Sequence, residues 1–240
     1  MRFFGGIKNN KAILGDGDLH HLFNVMRRKV GDQIDVVYAG DTYKCEITSI
    51  KPLSIDVIEV LQDDVELPCN LILAFALLKG GHDELVYMKG TELGVSAFAP
   101  FLSRRTIIEL PKEKDKEKKL ERAEKIVKGA SEQSRRTVVP EVFPISTYKN
   151  ILKIEADHKF FAYENESHTA IGMKEALKDL KSGETTLVVI GPEGGFSPEE
   201  VELAKDAGFT FISLGKRILR AETASIFAAS VHSVLAEEIE

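Results

Sequence analysis

Cysteine is almost missing from this chain: only Cys45 and Cys69 occur in 240 residues. Two thiols cannot build a disulfide framework, so a hydrophobic core must hold the fold, as in proteins of a reducing compartment. The six histidines are scattered, and no Cys/His spacing of the zinc-gripping kind occurs, so no metal is expected. No apolar run approaches the length needed to cross a bilayer. The opening Met1-Arg2-Phe3-Phe4-Gly5-Gly6 lacks the long apolar stretch of a secretory leader. A cytoplasmic protein without membrane partners is the expectation. Repeats and low-complexity tracts are absent as well. What remains is a chain that is 43% hydrophobic, enough to fill one large or two modest cores.

The formal charge of -6 argues mildly against a polyanionic partner, but its distribution argues otherwise. Residues 104 to 136 carry twelve Lys or Arg against seven Asp or Glu, and residues 1 to 31 carry six against two. Phosphates respond to such local fields rather than to the total. Between Lys112 and Lys125 the signs alternate, as on a solvated helix with i,i+4 pairs. Arg104-Arg105 and Arg135-Arg136 have no acidic residues beside them. Together with Arg2, Arg27 and Arg28 they are the expected contacts to nucleic-acid phosphates or bases. Phe3 and Phe4 fit a core better than a base stack.

The pattern of residues changes near Asp63-Asp64-Val65-Glu66-Leu67-Pro68, which predicts a boundary between domains at 1–68 and 69–240. Before it, 33–38, 42–50 and 53–60 alternate and are β-branched, with Ala39-Gly40-Asp41 as a tight turn. A helix is predicted over 18–29, ending near Gly31. Small β-barrels of this kind are common RNA-binding modules, although a fold does not fix a function. Beyond Cys69, strands at 71–77, 97–102, 159–163, 187–190 and 209–214 alternate with helices at 82–93, 113–134, 171–180, 198–207 and 221–238. Such alternation predicts a mostly parallel sheet covered on both faces.

The most informative stretch is Gly191-Pro192-Glu193-Gly194-Gly195-Phe196-Ser197-Pro198-Glu199-Glu200. The β-branched run before it reads as a buried strand. After it, Ser197 caps a helix, Pro198 suits the first turn and Glu200 completes a capping box. The loop lacks the Gly-Lys-Ser/Thr ending of a P-loop. A second strand-loop-helix edge follows at once: Phe211-Ile212-Ser213-Leu214, Gly215, then Lys216-Arg217-Ile218-Leu219-Arg220-Ala221-Glu222-Thr223-Ala224. Open α/β sheets bind ligands beyond the carboxyl ends of their strands, so two such edges predict one shared small-molecule site.

These segments resemble the SPOUT class of S-adenosylmethionine-dependent RNA methyltransferases, and within it the bacterial 16S rRNA (uracil-N3)-methyltransferases. Asp18-Leu19-His20-His21-Leu22, Lys89-Gly90-Thr91-Glu92-Leu93-Gly94-Val95 and Ser131-Glu132-Gln133-Ser134-Arg135-Arg136 extend the likeness over nearly the whole chain. The resemblance implies a trefoil-knotted α/β sheet with helices on both faces, preceded by a PUA-like β-barrel. It implies a homodimer acting on 16S rRNA in the small ribosomal subunit. Gly90 departs from the family's usual alanine and is expected to loosen its helix by about 1 kcal/mol. Lys216 replaces a common proline.

The resemblance assigns the cofactor to Ile190, Gly191, Glu193, Gly194, Leu214, Gly215, Ile218 and Leu219, mainly through their main chain. A side chain at Gly194 is expected to fill the cofactor's space. Uracil N3 is a poor nucleophile while it keeps its proton, so transfer needs a base and a cation for the developing charge on O2 and O4. Arg220 is expected to take the second role, with Glu222 assisting the proton. The apolar stripe Ala224, Phe227, Ala228, Val231, Val234, Leu235 is expected to cover the sheet on one side and to meet a second copy with what remains. Two other readings are a hydrolase with a glycine loop at a helix N-terminus, and a non-catalytic RNA-binding or ribosome-assembly protein.

Overall fold

The structure is a computed structural model that describes residues 2–108, 110, 112–163 and 170–239. It divides into two compact units: residues 1–66 with 128–139, and residues 67–127 with 140–240. A single boundary at 68 makes no provision for the segment 128–139.

The first unit is built on a six-stranded sheet. In chain order its elements are β1 (Arg2–Phe4), β2 (Gly6–Lys8), β3 (Lys11–Ile13), α1 (Asp16–His20), β4 (Gln33–Tyr38), β5 (Asp41–Ile50) and β6 (Leu53–Leu61). The strand order is β1-β4-β5-β6-β3-β2, with β1 parallel to β4 and the other pairs antiparallel. Ala39 and Gly40, at φ 52° and 89°, close the β4–β5 hairpin in the left-handed conformation that a two-residue turn requires. Alternation sends Ile34 and Val36 inward to meet Phe3, Leu22, Cys45, Ile47 and Ile55. The predicted helix over 18–29 is shorter. After α1 a π-helical turn spans His21–Val25, and Arg27, at φ 56°, stops the helix there.

The second unit carries an eight-stranded sheet in which every pairing is parallel. Its elements are β7 (Asn70–Ala76), α2 (His82–Glu92), β8 (Ala97–Leu102), α3 (Glu113–Ser134), β9 (Glu141–Val142), β10 (Ser146–Thr147), α4 (Tyr148–Ile151), β11 (His158–Ala162), β12 (Ile171–Gly172), α5 (Met173–Ala176), β13 (Thr185–Ile190), α6 (Pro198–Asp206), β14 (Thr210–Ser213) and α7 (Ala221–Ala236). The spatial order is β10-β8-β7-β13-β11-β14-β12, with β9 also on β8. Residues 128–134 of α3 belong to the first unit. The central strands β7 and β13 are buried along nearly their full length, as strands covered on both faces must be. The predicted helix over 171–180 is corrected. Ile171 pairs with Ile212 as an edge strand, Gly172 stays extended, and one helical turn follows at α5.

Gly90 has a packing role that its helix propensity does not show. A Cβ at this position would lie 2.7 Å from Cε1 and 2.9 Å from Cζ of Phe98, which is fully buried. Glycine there lets α2 approach β8 closely, at the expense of helix propensity.

Candidate functional site

Four neighbouring strands, β7, β13, β11 and β14, point the same way, and a cavity of about 580 Å³ opens beyond their carboxyl ends. Each strand contributes. Lys79 and His82 follow β7, and Ala162 and Tyr163 end β11. Ile190 to Glu193, Gly195 and Phe196 follow β13; Leu214 and Arg217 to Glu222 follow β14. In space β13 lies between β7 and β11, whereas in the chain β11 comes before it. The cavity thus sits where an open α/β sheet reverses its strand order. Its volume is ordinary for a small-molecule site.

The loop after β13 owes its shape to Phe196. This ring is buried against Phe161 with centroids 4.3 Å apart, and against Tyr148 at 5.8 Å. Gly191 makes room for it, since a Cβ there would meet the Phe196 ring at 2.8 Å. The turn closes through a hydrogen bond from Gly195 N to Pro192 O at 2.8 Å. Beyond it the predicted capping box is present: Glu200 N donates to Ser197 Oγ at 3.3 Å and Ser197 N to Glu200 Oε2 at 2.9 Å. The buried Glu200 also accepts Arg104 N at Oε1 (2.9 Å), and its carbonyl accepts the Tyr148 hydroxyl (2.6 Å). One carboxylate therefore fixes both the end of the loop and the chain after β8.

The structure brings most of the expected cofactor residues together. Ile190, Gly191, Glu193, Leu214, Ile218 and Leu219 line the cavity. The Glu193 carboxylate accepts Lys79 N at 3.2 Å, which ties the loop after β13 to the one after β7. Gly215, at φ 112°, sits in the second loop, where its amide donates to Ser213 Oγ at 3.3 Å. Gly194 stands beside the cavity, between the lining residues Glu193 and Gly195. Its Cβ would face Arg105 at 3.3 Å, and its carbonyl accepts Arg105 Nη1 at 3.0 Å, so it is not on the cavity wall. Beside Gly191, Gly195 is a wall glycine of this loop. Its φ is 67°, and a Cβ there would meet no atom within 4 Å.

Arg220 is the N-cap of α7, extended and exposed, and it makes no ion pair among the described residues. Glu222 lies two residues on, in the first turn, 8% exposed, with Oε1 3.4 Å from His82 Nδ1. Lys79, His82, Ala162 and Tyr163 were missed from sequence, while Arg217 was passed over in favour of Arg220. The pair Gly80-Gly81 between β7 and α2 repeats the strand-glycine-helix signal and marks the first two. Nothing in the sequence marks the end of β11.

Two expected RNA contacts are corrected. Arg2 is buried, donating to the Asp63 carboxylate and the Arg135 carbonyl. Arg136 is 6% exposed and bonds Glu66 through Nη2 at 2.6 Å and Nε at 3.0 Å. Burial by itself raises the Glu66 carboxyl; the Arg136 bond and charge, with the Thr137 and Val138 amides, outweigh it and hold the pKa below the usual range. Both arginines hold the first unit together. Arg27 and Arg135 are exposed, and Arg28 is half-exposed, 3.8 Å from Asp32. Arg104 pairs with Glu199 at 2.9 Å on the surface.

Among the described residues, no group of three or more His, Cys, Asp or Glu is placed to hold a metal, and no helix is long and apolar enough to cross a membrane.

The model of the RNA methyltransferase domain matches residues 65–233, and that of the RNA methyltransferase PUA domain matches residues 14–60. Ribosomal RNA small subunit methyltransferase E of Bacillus subtilis (strain 168) is 38% identical over 234 residues, spanning 94% of this chain and 90% of the relative. Its counterpart in Synechocystis is 34% identical, spanning 93% and 73%. The crystal structure of a ribosomal RNA small subunit methyltransferase E from Neisseria gonorrhoeae bound to S-adenosyl methionine superposes with a TM-score of 0.85 at 30% identity, covering 98% of this chain and 97% of that one. A methyltransferase from Legionella pneumophila in complex with the bound cofactor SAM gives 0.86 at 27% identity, covering 96% and 95%.

Proposed function

The chain belongs to the family of ribosomal RNA small subunit methyltransferase E, and from that premise we propose that it transfers a methyl group from S-adenosylmethionine to N3 of a uridine in 16S rRNA, on the small ribosomal subunit. The observation that carries this reading is the cavity itself. It is lined by two glycine-bearing loops, by the apolar side chains of Ile190, Leu214 and Leu219, and by the charged or polar Lys79, His82, Glu193, Arg217, Arg220 and Glu222. The open space at Gly195 fits a ligand read through backbone contacts, as an adenosine moiety is. The reading includes a trefoil-knotted path around the cavity.

The cofactor, when bound, supplies an electrophilic methyl on sulfur. Ile190, Gly191, Gly195, Leu214, Ile218 and Leu219 would hold it, while Glu193 keeps the first loop in place through Lys79 N. Arg220, whose side chain forms no ion pair among the described residues, directs its guanidinium at the uracil oxygens, where charge grows as N3 loses its proton. Glu222, with His82 beside it, is the carboxylate that assists that loss. Glu222 is buried, while the His82 side chain is 43% exposed and faces solvent on one side. The exposed Phe227, Val234 and Ile218 offer an apolar surface for a second copy, which supports a homodimer.

Calorimetric titration tests the site. S-adenosylmethionine and its demethylated product should both bind one site per chain, and ATP should not. Gly195→Val should abolish that binding in a protein that still unfolds cooperatively. Wild-type affinity in the folded variant would place the cofactor elsewhere.

A further inference from the structure

The cavity mouth holds more positive charge than its proposed cofactor can use. Lys79, Arg217 and Arg220 all line it, all three are exposed, and none forms an ion pair among the described residues. Some other cations of this unit are paired, as Lys119 is with Asp83, Arg122 with Glu84 at 2.7 Å and Lys89 with Glu92 at 2.8 Å. Others, such as Lys149 and Lys174, form no ion pair among the described residues; what sets Lys79, Arg217 and Arg220 apart is that they share one cavity mouth. The two carboxylates at the mouth are already engaged. Glu193 accepts the Lys79 amide, and Glu222 lies beside His82. S-adenosylmethionine carries a sulfonium, an ammonium and one carboxylate. It is cationic at its reactive end and has no phosphate, so it gives three unpaired cations little to bind.

The positions of the cations suggest what they do bind. Lys79 follows β7 and Arg217 follows β14, the two outer strands of the four that end at the cavity. Three strand spacings put those strand ends roughly 14 Å apart, with Arg220 next to Arg217 in the loop. A base that enters a pocket for chemistry leaves its sugar and phosphates outside, at the rim. Phosphate contacts from Lys and Arg then fix register without reading sequence.

We propose that Lys79 and Arg217 form a phosphate clamp on opposite flanks of the mouth, which grips the RNA backbone on either side of the nucleotide presented to Arg220. The inference rests on the reading of the cavity as an RNA methylation site. It adds two residues that position the substrate and take no part in moving a proton or a methyl group. Lys79 also has a separate backbone role toward Glu193, so only its side chain belongs to the clamp.

The test uses the full chain with Lys79→Gln, Arg217→Gln and both together. Binding to small ribosomal subunits is measured by filter retention over a series of KCl concentrations, and S-adenosylmethionine binding by calorimetry. Each phosphate contact removed should lower the slope of log affinity against log salt by about 1. The double variant should raise KM for the subunit far more than it lowers kcat, and its cofactor affinity should match wild type. An unchanged salt slope in the double variant would overturn the clamp. So would a loss of cofactor affinity with RNA binding intact, which would assign these cations to the cofactor's carboxylate. A wild-type protein that binds the cofactor but methylates no RNA would instead strike the proposed function, so the two failures are distinguishable.

Discussion

Single residues decide whether the cavity can work, and glycines show how far sequence reaches. Of the three glycines after β13, the sequence marks the loop but not which one faces the ligand. Gly194 turns toward Arg105 and Gly195 toward open space, a difference set by backbone angles that residue identity does not carry. Gly90 makes the same point in the core. Its helix propensity is legible, whereas its proximity to Phe98 depends on how α2 packs on β8. Gly90→Ala should therefore destabilise the protein by about 1–3 kcal/mol through overpacking, read from the urea midpoint. A rise in the midpoint would show that propensity dominates. Arg220 was legible because it follows a strand edge and leads into a helix. Arg220→Ala should lower kcat ~100-fold, the scale of losing one donor to a developing oxyanion, while cofactor affinity stays within a few-fold. Equal losses in both would make it a cofactor residue.

Elements carry those residues into place, and the short ones escape sequence. Strands β4, β5, β6, β8 and β13 are long enough for period or β-branching to show, and so are α2, α3 and α6. Strands of two or three residues, such as β1, β2, β3, β9 and β10, are too short for an alternation of period two to repeat visibly. The α7 stripe was legible as a period but not in its depth. The buried residues of α7 are mostly small, Ala221, Ala224, Ser225, Ala228, Ala229 and Ala236, with Glu222 and His232 among them, while Phe227 is 39% and Val234 62% exposed. A sheet covered closely by a helix selects small side chains there and leaves the large ones outward. At α6 the buried Glu200 serves two amides at once, Ser197 N and Arg104 N. Glu200→Ala should cost about 2–4 kcal/mol, because both donors lose a charged acceptor in a buried place. It should also weaken S-adenosylmethionine binding by loosening the loop that Phe196 anchors. Thermal denaturation and calorimetry on one preparation separate the two effects, and unaltered stability would remove Glu200 from its organising position.

The whole molecule answers to pH through a group that sequence did not single out. His232 is fully buried, with no hydrogen-bond partner at either ring nitrogen among the described residues. Burial first, and then the neighbouring charge of His158, push its pKa down from 6.5 to about 4. In the unfolded chain the imidazole takes a proton as pH falls below its ordinary value, while the folded protein refuses it until about pH 4. The unfolded state thus binds more protons in that window, and stability falls as pH drops from about 6.5 toward 4, by up to ~3 kcal/mol. His232→Leu should flatten this part of the stability profile; an unchanged slope would place the proton uptake elsewhere. The two-part organisation and the parallel sheet were both legible from a change of periodicity near residue 68, but the recruitment of residues 128–139 to the first unit was not. It depends on burial of Arg136 against Glu66 and on Lys128 reaching Asp18 at 2.7 Å, pairings between residues about 70 and 110 positions apart. The central claim concerns a reaction, and it is tested most directly by incubating the protein with small ribosomal subunits that lack the modification and S-adenosylmethionine labelled in its methyl group. Digestion of the 16S rRNA to nucleosides should then place the label in 3-methyluridine, and Arg220→Ala should remove it. Label in a ribose methyl or in another base, or none at all from a protein that binds the cofactor, would contradict the account.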